Sequence, residues 1–476
     1  MPMNHAARCL LPVLAAILAA GLAWHCRAED QADGPRIVAG HPVLENRASQ
    51  PGVVEVHLTA APARQSLKPG TETDVFAYNG RVPGPMLEVT EGDTVIVHFR
   101  NELPEQTTVH WHGMHLPFIA DGSPFHPVAP GEIYTYRFEV PEGSAGTYWY
   151  HPHPHHRTAY QVGMGLFGAM IVRDPDDPLP RDMRERVLIL SDHRFHDDGS
   201  LDFAEDDRRQ ARIDEMNGRE GDVLLVNNEV MPELSIGAGE VQRWRIINAS
   251  GARIYRLGLK GHEFLHVGSD GGLFENPVET DEILLANGER AEILVRGTGE
   301  PGSEALLSAL PYDRYMAQWR PRDWDRPLEL ATVKYSREPP VEPVKIPDRL
   351  RRIPELDPDL ATVVREMRMT NGKINGRTMD MNRIDEYAEL GSKEVWHVRN
   401  LVGMDHPFHL HGFQFQVFER DGEPVTQRRW EDTVNVPAFE DARFVVRLDN
   451  HPGKWMFHCH NLNHEDQGMM GVLELE

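Results

Sequence analysis

The chain has 476 residues, 40% hydrophobic and 26% charged, which is enough apolar content for about three packed domains and excludes a largely disordered chain. Its 74 acidic side chains outnumber 49 basic ones, and the formal charge of −25 argues against nucleic acid and anionic membrane surfaces as partners. The 40 glycines and 36 prolines supply turns for many short strands rather than for a few long helices.

Residues 1–28 read as an export signal. Arg8 precedes an apolar run over residues 9–24, and the small residue Ala28 follows. The run is short for a membrane span, so cleavage near Ala28 is expected, with a periplasmic or secreted product and no stable membrane anchor afterwards. No Arg-Arg pair precedes the run, which points to the general secretion route. Cleavage removes Arg8 and Arg27, taking the formal charge from −25 to −27, and it removes Cys9 and Cys26. The remaining Cys459 has no partner for an internal disulfide and is either an incidental buried thiol or a metal ligand.

The rest of the chain repeats a pattern three times. Asn79-Gly80 leads to the alternating stretch ending in Asn101, Asn227-Asn228 to the one ending in Asn248, and Asn375-Gly376 to the one ending in Asn400. The spacing of about 150 residues is that of domains rather than of solenoid repeats. Period-two stretches such as residues 94–99 and 291–295 read as half-buried strands. Together these predict an all-β chain of Greek-key β-sandwiches. The linker-like stretches at 174–180 and 336–354 divide it into units 29–175, 176–345 and 346–476.

Of 25 histidines, ten fall in four tight clusters: His110 and His112; His151 and His153; His406, His409 and His411; and His458, His460 and His464. On a strand, side chains at i and i+2 share a face, so each His-x-His pair offers two imidazoles in one direction. Four pairs supply eight imidazoles to one site, and imidazole alone suits copper, zinc or iron. The last cluster is more specific. His458 and His460 face one way and Cys459 the other, so the thiolate serves one metal while its neighbours serve another. Cys459 with His464, a distant His and Met469 is the His-His-Cys set with a weak axial thioether that marks blue copper. A single His-x-His pair is ordinarily a packing or surface feature, whereas structural zinc favours more cysteines and a zinc hydrolase has no use for an axial Met.

These clusters, in this order, resemble the multicopper oxidases, nearest to the bacterial laccase-like and copper-tolerance three-domain members. The flanks agree: residues 146–150 before His151, 165–168 after the second cluster, 375–377, 430–434 and 464–471. The resemblance implies three cupredoxin-like sandwiches and four coppers per chain. Carried over by position, His406, Cys459, His464 and Met469 would hold type 1 copper, and His110 and His409 type 2. One type 3 copper would take His112, His151 and His460, and the other His153, His411 and His458. It implies dioxygen as acceptor, a small-molecule or metal-ion reductant, and Asp121 and Glu465 as acids delivering protons. The middle unit would supply no ligand pair.

Cuprous-oxidising members carry a Met-rich insertion before the third domain, and between Leu310 and Pro354 this chain offers only Met316, which weakens a copper-tolerance role. Asp405, beside His406, reads either as a docking acid for a cationic reductant or as a solvent-facing side chain. His115, His155 and His156 are expected to make supporting hydrogen bonds, and Met369, Met379 and Met381 to pack. A copper-sequestering protein would favour extra Met/His tracts, an envelope scaffold eroded clusters, and a copper nitrite reductase fewer His-x-His pairs. None matches as well as an oxidase.

Overall fold

The computed structural model describes residues 41–204, 207–316, 319–321, 324–337 and 344–476. The segment read as an export signal lies outside the described residues. Among them, no helix is long and apolar enough to cross a membrane.

Among the described residues the strands form six sheets, two to each third of the chain. In the first third, one sheet runs Thr73–Tyr78, Val53–Gln65, Thr94–Asn101, Ile133–Glu139, and the other Gly84–Thr90, Gly168–Arg173, Gly146–His151, His110–His112. Their inner faces share one core that includes Leu58, Val97, Trp111, Tyr150 and Met170. The second and third thirds each pair a six-stranded with a five-stranded sheet over cores of the same kind. In every unit the opening strand lies parallel to the strand that closes on Asn: Val53–Gln65 on Thr94–Asn101, Arg184–His193 on Val241–Asn248, and Val363–Thr370 on Ser392–Asn400. Parallel neighbours need a crossover rather than a hairpin, so the connectivity is the cupredoxin-like Greek key the sequence predicts.

The repeated asparagines do the same work three times. Asn79, Asn227 and Asn375 all adopt positive φ (49°, 55° and 52°), which Asn tolerates better than most residues. In each, Oδ1 accepts a backbone N–H of the opening strand, from Thr59, Ile189 and Arg368 at 2.7–2.9 Å, and Nδ2 donates two residues back along it, to His57, Val187 and Glu366. The amide thus pairs like one more strand residue. Asn101, Asn248 and Asn400 are buried, each accepting the N–H two residues on and donating to at least two backbone carbonyls.

Strand Val241–Asn248 is buried at every position. Trp244 and Ile246 enter the core of its own sandwich, while Arg243 and Arg245 take the opposite face. Arg245 donates to Glu185, Glu292 and Thr147, the last on the strand that ends at His151, and Arg243 to Glu292 and Asp177. The seam between the first two sandwiches therefore carries buried charge beside an apolar cluster that includes Trp149, Ile171, Val187 and Ile247. Burial pushes the Glu185 carboxyl up, but Arg245, Arg243 and Arg173 outweigh it and bring it down to about 2. Because the folded value lies below the unfolded one, the stabilisation is complete above pH ~4.5 and disappears as pH falls through 2. It is worth about 3 kcal/mol. We expect Glu185→Gln to lower the thermal midpoint at neutral pH, and the gap from the native chain to narrow as pH drops from 4.5 toward 2 in a pH series of thermal melts.

Among the described residues, three short α-helices interrupt the strands: Thr158–Gly163, Arg208–Asn217 and Leu462–Asp466. The second is capped by Asp207, whose side chain accepts from Arg209 N and Gln210 N, and it stops at Gly218 with φ +79°.

Candidate metal centre

Strand pairing assembles the histidine pairs. His110 lies opposite His151 across one antiparallel ladder, and His409 opposite His458 across another, in which Phe408 faces Cys459. All eight imidazoles of the four pairs are at most 1% exposed and meet between the first and third sandwiches. His110 stacks on His411 and His112 on His409, both at 3.9 Å between centroids; His112 and His460 are 4.8 Å apart and His153 and His458 5.0 Å. Nitrogens of His110, His409 and His411, of His153, His411 and His458, and of His110, His112 and His151 each lie within 4.8 Å of one another.

The pattern of hydrogen bonds is that of metal ligands. His110, His409 and His151 donate through Nδ1 to the carbonyls of Asp121, Asp432 and Pro152 at 2.8–2.9 Å, and their Nε2 atoms are buried without a protein partner. His112 is turned the other way, with Nε2 donating to Asp432 Oδ1 at 3.0 Å and Nδ1 unpartnered, and neither nitrogen of His460 has a partner. Tying one imidazole nitrogen to a carbonyl or carboxylate orients the other for a metal. Left without a metal, each orphaned nitrogen costs about 1–3 kcal/mol. Burial, followed by repulsion from neighbouring rings, pushes His112, His153, His409, His411 and His460 well below the usual range, so these imidazoles stay neutral and able to coordinate.

Cys459 faces the opposite side of its strand and lines the core of the third sandwich. His406 Nδ1 lies 3.3 Å from its Sγ and 3.2 Å from His464 Nδ1, which is 3.8 Å from the same sulfur. Met469 is fully buried alongside, its N–H donating to His464 O and its carbonyl accepting from Cys459 N. Burial pushes the thiol up to about 12, so only a bound cation makes the thiolate the stable form at neutral pH. His464 donates through Nε2 to Met216 O at 3.1 Å, which puts helix Arg208–Asn217 on its outer edge.

Asp121 Oδ2 accepts from His411 Nδ1 at 3.0 Å. Glu465, at the other side, lies 3.3 Å from His458 Nδ1 and 3.5 Å from His153 Nε2. Burial and the adjacent Asp466 push its carboxyl well above the usual range. Both predicted acids therefore touch the imidazole cluster. Asp405 is neither a docking acid nor solvent-facing: it is 3% exposed and accepts from Tyr312 Oη at 2.6 Å and Asn435 Nδ2 at 2.8 Å. Its neighbours Arg314 and Tyr312 cover it. Two of the three flanking histidines make the supporting bonds expected of them, His115 to Gly412 O and His156 to Asp466 O, whereas His155 packs on the His156 ring with its buried Nδ1 unpartnered. Met369 packs in the core, and Met379 against Met456, Met470 and Val472.

Four functional residues escape a reading of the sequence. Met216 contributes only a carbonyl, which carries no side-chain signal. Asp432 lies in the quoted segment 430–434 but stands 23 residues from His409. Asn287 and Arg290 come from the middle unit, which has no histidine cluster. Asn287 Nδ2 donates to His460 O, and a Cβ added to Gly288 (φ +90°) would stand 2.9 Å from the His460 ring. The turn before strand Arg290–Arg296 is thus pressed against the cluster.

A His-His-Cys site one residue from an eight-imidazole cluster, on three cupredoxin-like sandwiches, defines a copper-dependent oxidoreductase. Multicopper oxidase family models match residues 59–177, 184–337 and 352–476. A multicopper oxidase of Staphylococcus haemolyticus is 32% identical, with 91% of each chain covered. The solved multicopper oxidase from Campylobacter jejuni, described as a metallo-oxidase, superposes with a TM-score of 0.83 at 34% identity, covering 93% of this chain and 95% of that one. The cell division protein FtsP of Salmonella typhimurium is 30% identical over 91% of each chain. The chain belongs to the multicopper oxidase family and is a copper-binding oxidoreductase that uses oxygen.

Gly288→Ala is expected to force the His460 ring aside and to cost at least about 1–2 kcal/mol from the left-handed backbone alone. A lower thermal midpoint together with fewer coppers per chain, by elemental analysis, would register both effects.

Proposed function

We propose that the chain oxidises small aromatic donors, one electron at a time, at a copper held by His406, Cys459, His464 and Met469. In the same reading His110 and His409 hold type 2 copper, His112, His151 and His460 one type 3 copper, and His153, His411 and His458 the other. Bound copper supplies one-electron acceptance at the first site and four-electron reduction of dioxygen to water at the other three. The observation that carries this is the position of Cys459: its sulfur meets His406 and His464, while adjacent His458 and His460 belong to the imidazole cluster. The polypeptide between them is a short covalent path for electrons.

Asp121 and Glu465 relay the protons that water formation consumes, each within hydrogen-bonding or near-contact distance of a cluster imidazole. Export by the general secretion route, with units 29–175, 176–345 and 346–476, is part of the same reading.

The donor class rests on a cleft of about 390 Å³ over helix Arg208–Asn217. Ile213, Leu310, Tyr312, Tyr315 and Trp324 give it apolar surface and rings on which an aromatic donor can stack, between charged side chains such as Arg194, Glu220 and Arg320. His464 and Cys459 are buried, so a donor reaches the metal through Met216 O and His464 rather than by coordination. Metal-ion oxidation is a second reading, favoured by Met316, whose Cγ stands 3.5 Å from where a Cβ on Gly403 would be, three residues before His406.

Dioxygen uptake by the copper-loaded chain with a phenol, cuprous ion and manganous ion in turn, assayed beside peroxide, tests the reading. The expected result is uptake without peroxide and the highest specificity constant for the phenol. A higher constant for cuprous ion selects the second reading, and bound copper without uptake for any donor overturns both. Trp324→Ala is expected to raise the KM for the phenol about three- to tenfold, the value of one aromatic contact, with metal-ion turnover unchanged. Glu465→Gln is expected to cut kcat about a hundredfold while the thiolate absorption of the first site persists.

A further inference from the structure

Arg290 is the one guanidinium that touches all three sandwiches beneath the imidazole cluster, among the described residues, and it comes from the unit that holds no ligand pair. Its side chain is fully buried. Nε donates to Thr147 O at 3.0 Å in the first sandwich, Nη1 to Gly288 O at 2.9 Å, and Nη2 to Asp270 O at 3.1 Å in its own. The remaining hydrogens form a fork on Asp432 of the third, Nη1 to Oδ1 at 2.9 Å and Nη2 to Oδ2 at 2.5 Å. A bidentate fork fixes both the direction and the plane of a carboxylate. Asp270 completes the frame, accepting from Arg290 N at 2.8 Å through Oδ1, and from Asp432 N and Thr433 N at 3.3 Å through Oδ2.

Asp432 is held in this way at the place where two cluster histidines are aimed. Its Oδ1 accepts from His112 Nε2 at 3.0 Å, its backbone carbonyl from His409 Nδ1 at 2.8 Å, and Thr433 Oγ1 lies 3.1 Å from that same Nδ1. Gly113, directly after His112, has φ +89°, and a Cβ there would stand 2.4 Å from Asp432 Oδ2 and 2.5 Å from Arg290 Nη2. The glycine of the first cluster makes room for the Arg290–Asp432 pair and for no side chain of its own.

We propose that Arg290 is a positioning residue for the type 2 copper site: by clamping Asp432, whose backbone carbonyl takes His409 Nδ1, it sets the orientation of His409, and through the carboxylate that of the neighbouring type 3 ligand His112, so that the middle sandwich controls occupancy and geometry of a metal it does not ligate. The fork leaves Asp432 an orienting group rather than a ligand, although its carboxylate lies within 4.8 Å of nitrogens of both histidines. A partner that orients a metal-binding histidine ordinarily changes metal affinity about ten- to hundredfold. The proposal rests on the assignment of His110 and His409 to type 2 copper.

The test is a chelator titration of the copper-loaded full chain, read by electron paramagnetic resonance of type 2 copper, with the blue absorption of the Cys459 site as internal control. In Arg290→Met the blue absorption is expected to persist, the type 2 hyperfine splitting to shift, and type 2 copper to leave at a ten- to hundredfold lower chelator concentration. Arg290→Lys, which keeps the charge without the fork, is expected to recover only part of the resistance. A native type 2 spectrum and chelator profile in both variants overturns the proposal, as does parallel loss of both signals, which marks a merely structural residue. Tighter type 2 binding in either variant also overturns it, since an unclamped Asp432 would then be acting as a ligand. Should Arg290→Met fail to fold, the lysine variant decides by the same criteria. A native chain with no type 2 signal at all would overturn the ligand assignment, and the role of Arg290 with it.

Discussion

Burying eight neutral imidazoles in one place is the constraint on which the rest of this structure depends. Each ring must be desolvated, and six of the eight have one nitrogen tied to a protein oxygen, which leaves the other free to face the cluster. No single sandwich offers enough inward-facing positions, so the rings come from two, and a seam between sandwiches becomes the site. The seam then needs stiffening by groups that do not compete for the metal. Backbone carbonyls of Asp121, Pro152 and Asp432 do this at short range. Farther out, the buried charges of Arg245, Glu185 and Glu292 in the second sandwich lock it to the first through Thr147 and Arg173.

The middle sandwich illustrates how a repeat unit is turned to support. It keeps both asparagine devices of its neighbours, at Asn227 and Asn248, with the same hydrogen bonds. Its turn at residues 286–290 occupies the space beneath the cluster, with Asn287 and Gly288 against His460 and Arg290 beneath Asp432. A histidine cluster there would have no partner across a seam, whereas a guanidinium with five donors reaches the carbonyls and carboxylates of all three units.

Much of this was legible in the residues because strand periodicity is short-range. The spacing of two in each His-x-His pair dictates a shared face, and the odd position of Cys459 between His458 and His460 dictates the opposite one; pairing then had little freedom. The three Asn-bounded segments likewise announce three units, since a positive-φ Asn followed by an alternating strand is local chemistry. What was hidden is long-range or lacks a side chain. Asp405 reads as an exposed acid because nothing nearby in sequence foretells that Tyr312, 93 residues earlier, covers it. Helix Arg208–Asn217 carries only Ala211, Ile213 and Met216 as apolar residues, too few for the stripe that would mark it, and its contribution to His464 is one carbonyl. Arg290 meets Asp432 across 142 residues.

That carbonyl has an evolutionary consequence. Because the outer nitrogen of His464 ends on the main chain of residue 216, every amino acid but one that distorts the helix preserves the connection. Side chains of the helix and of the loop above it that make no buried bond, such as Ile213 and Trp324, can then diverge under selection for new electron donors without touching that connection. A library randomised over Ile213 and Trp324 would explore donor preference on an unchanged redox core, and alanine scanning of the same helix would leave its most important atom untouched.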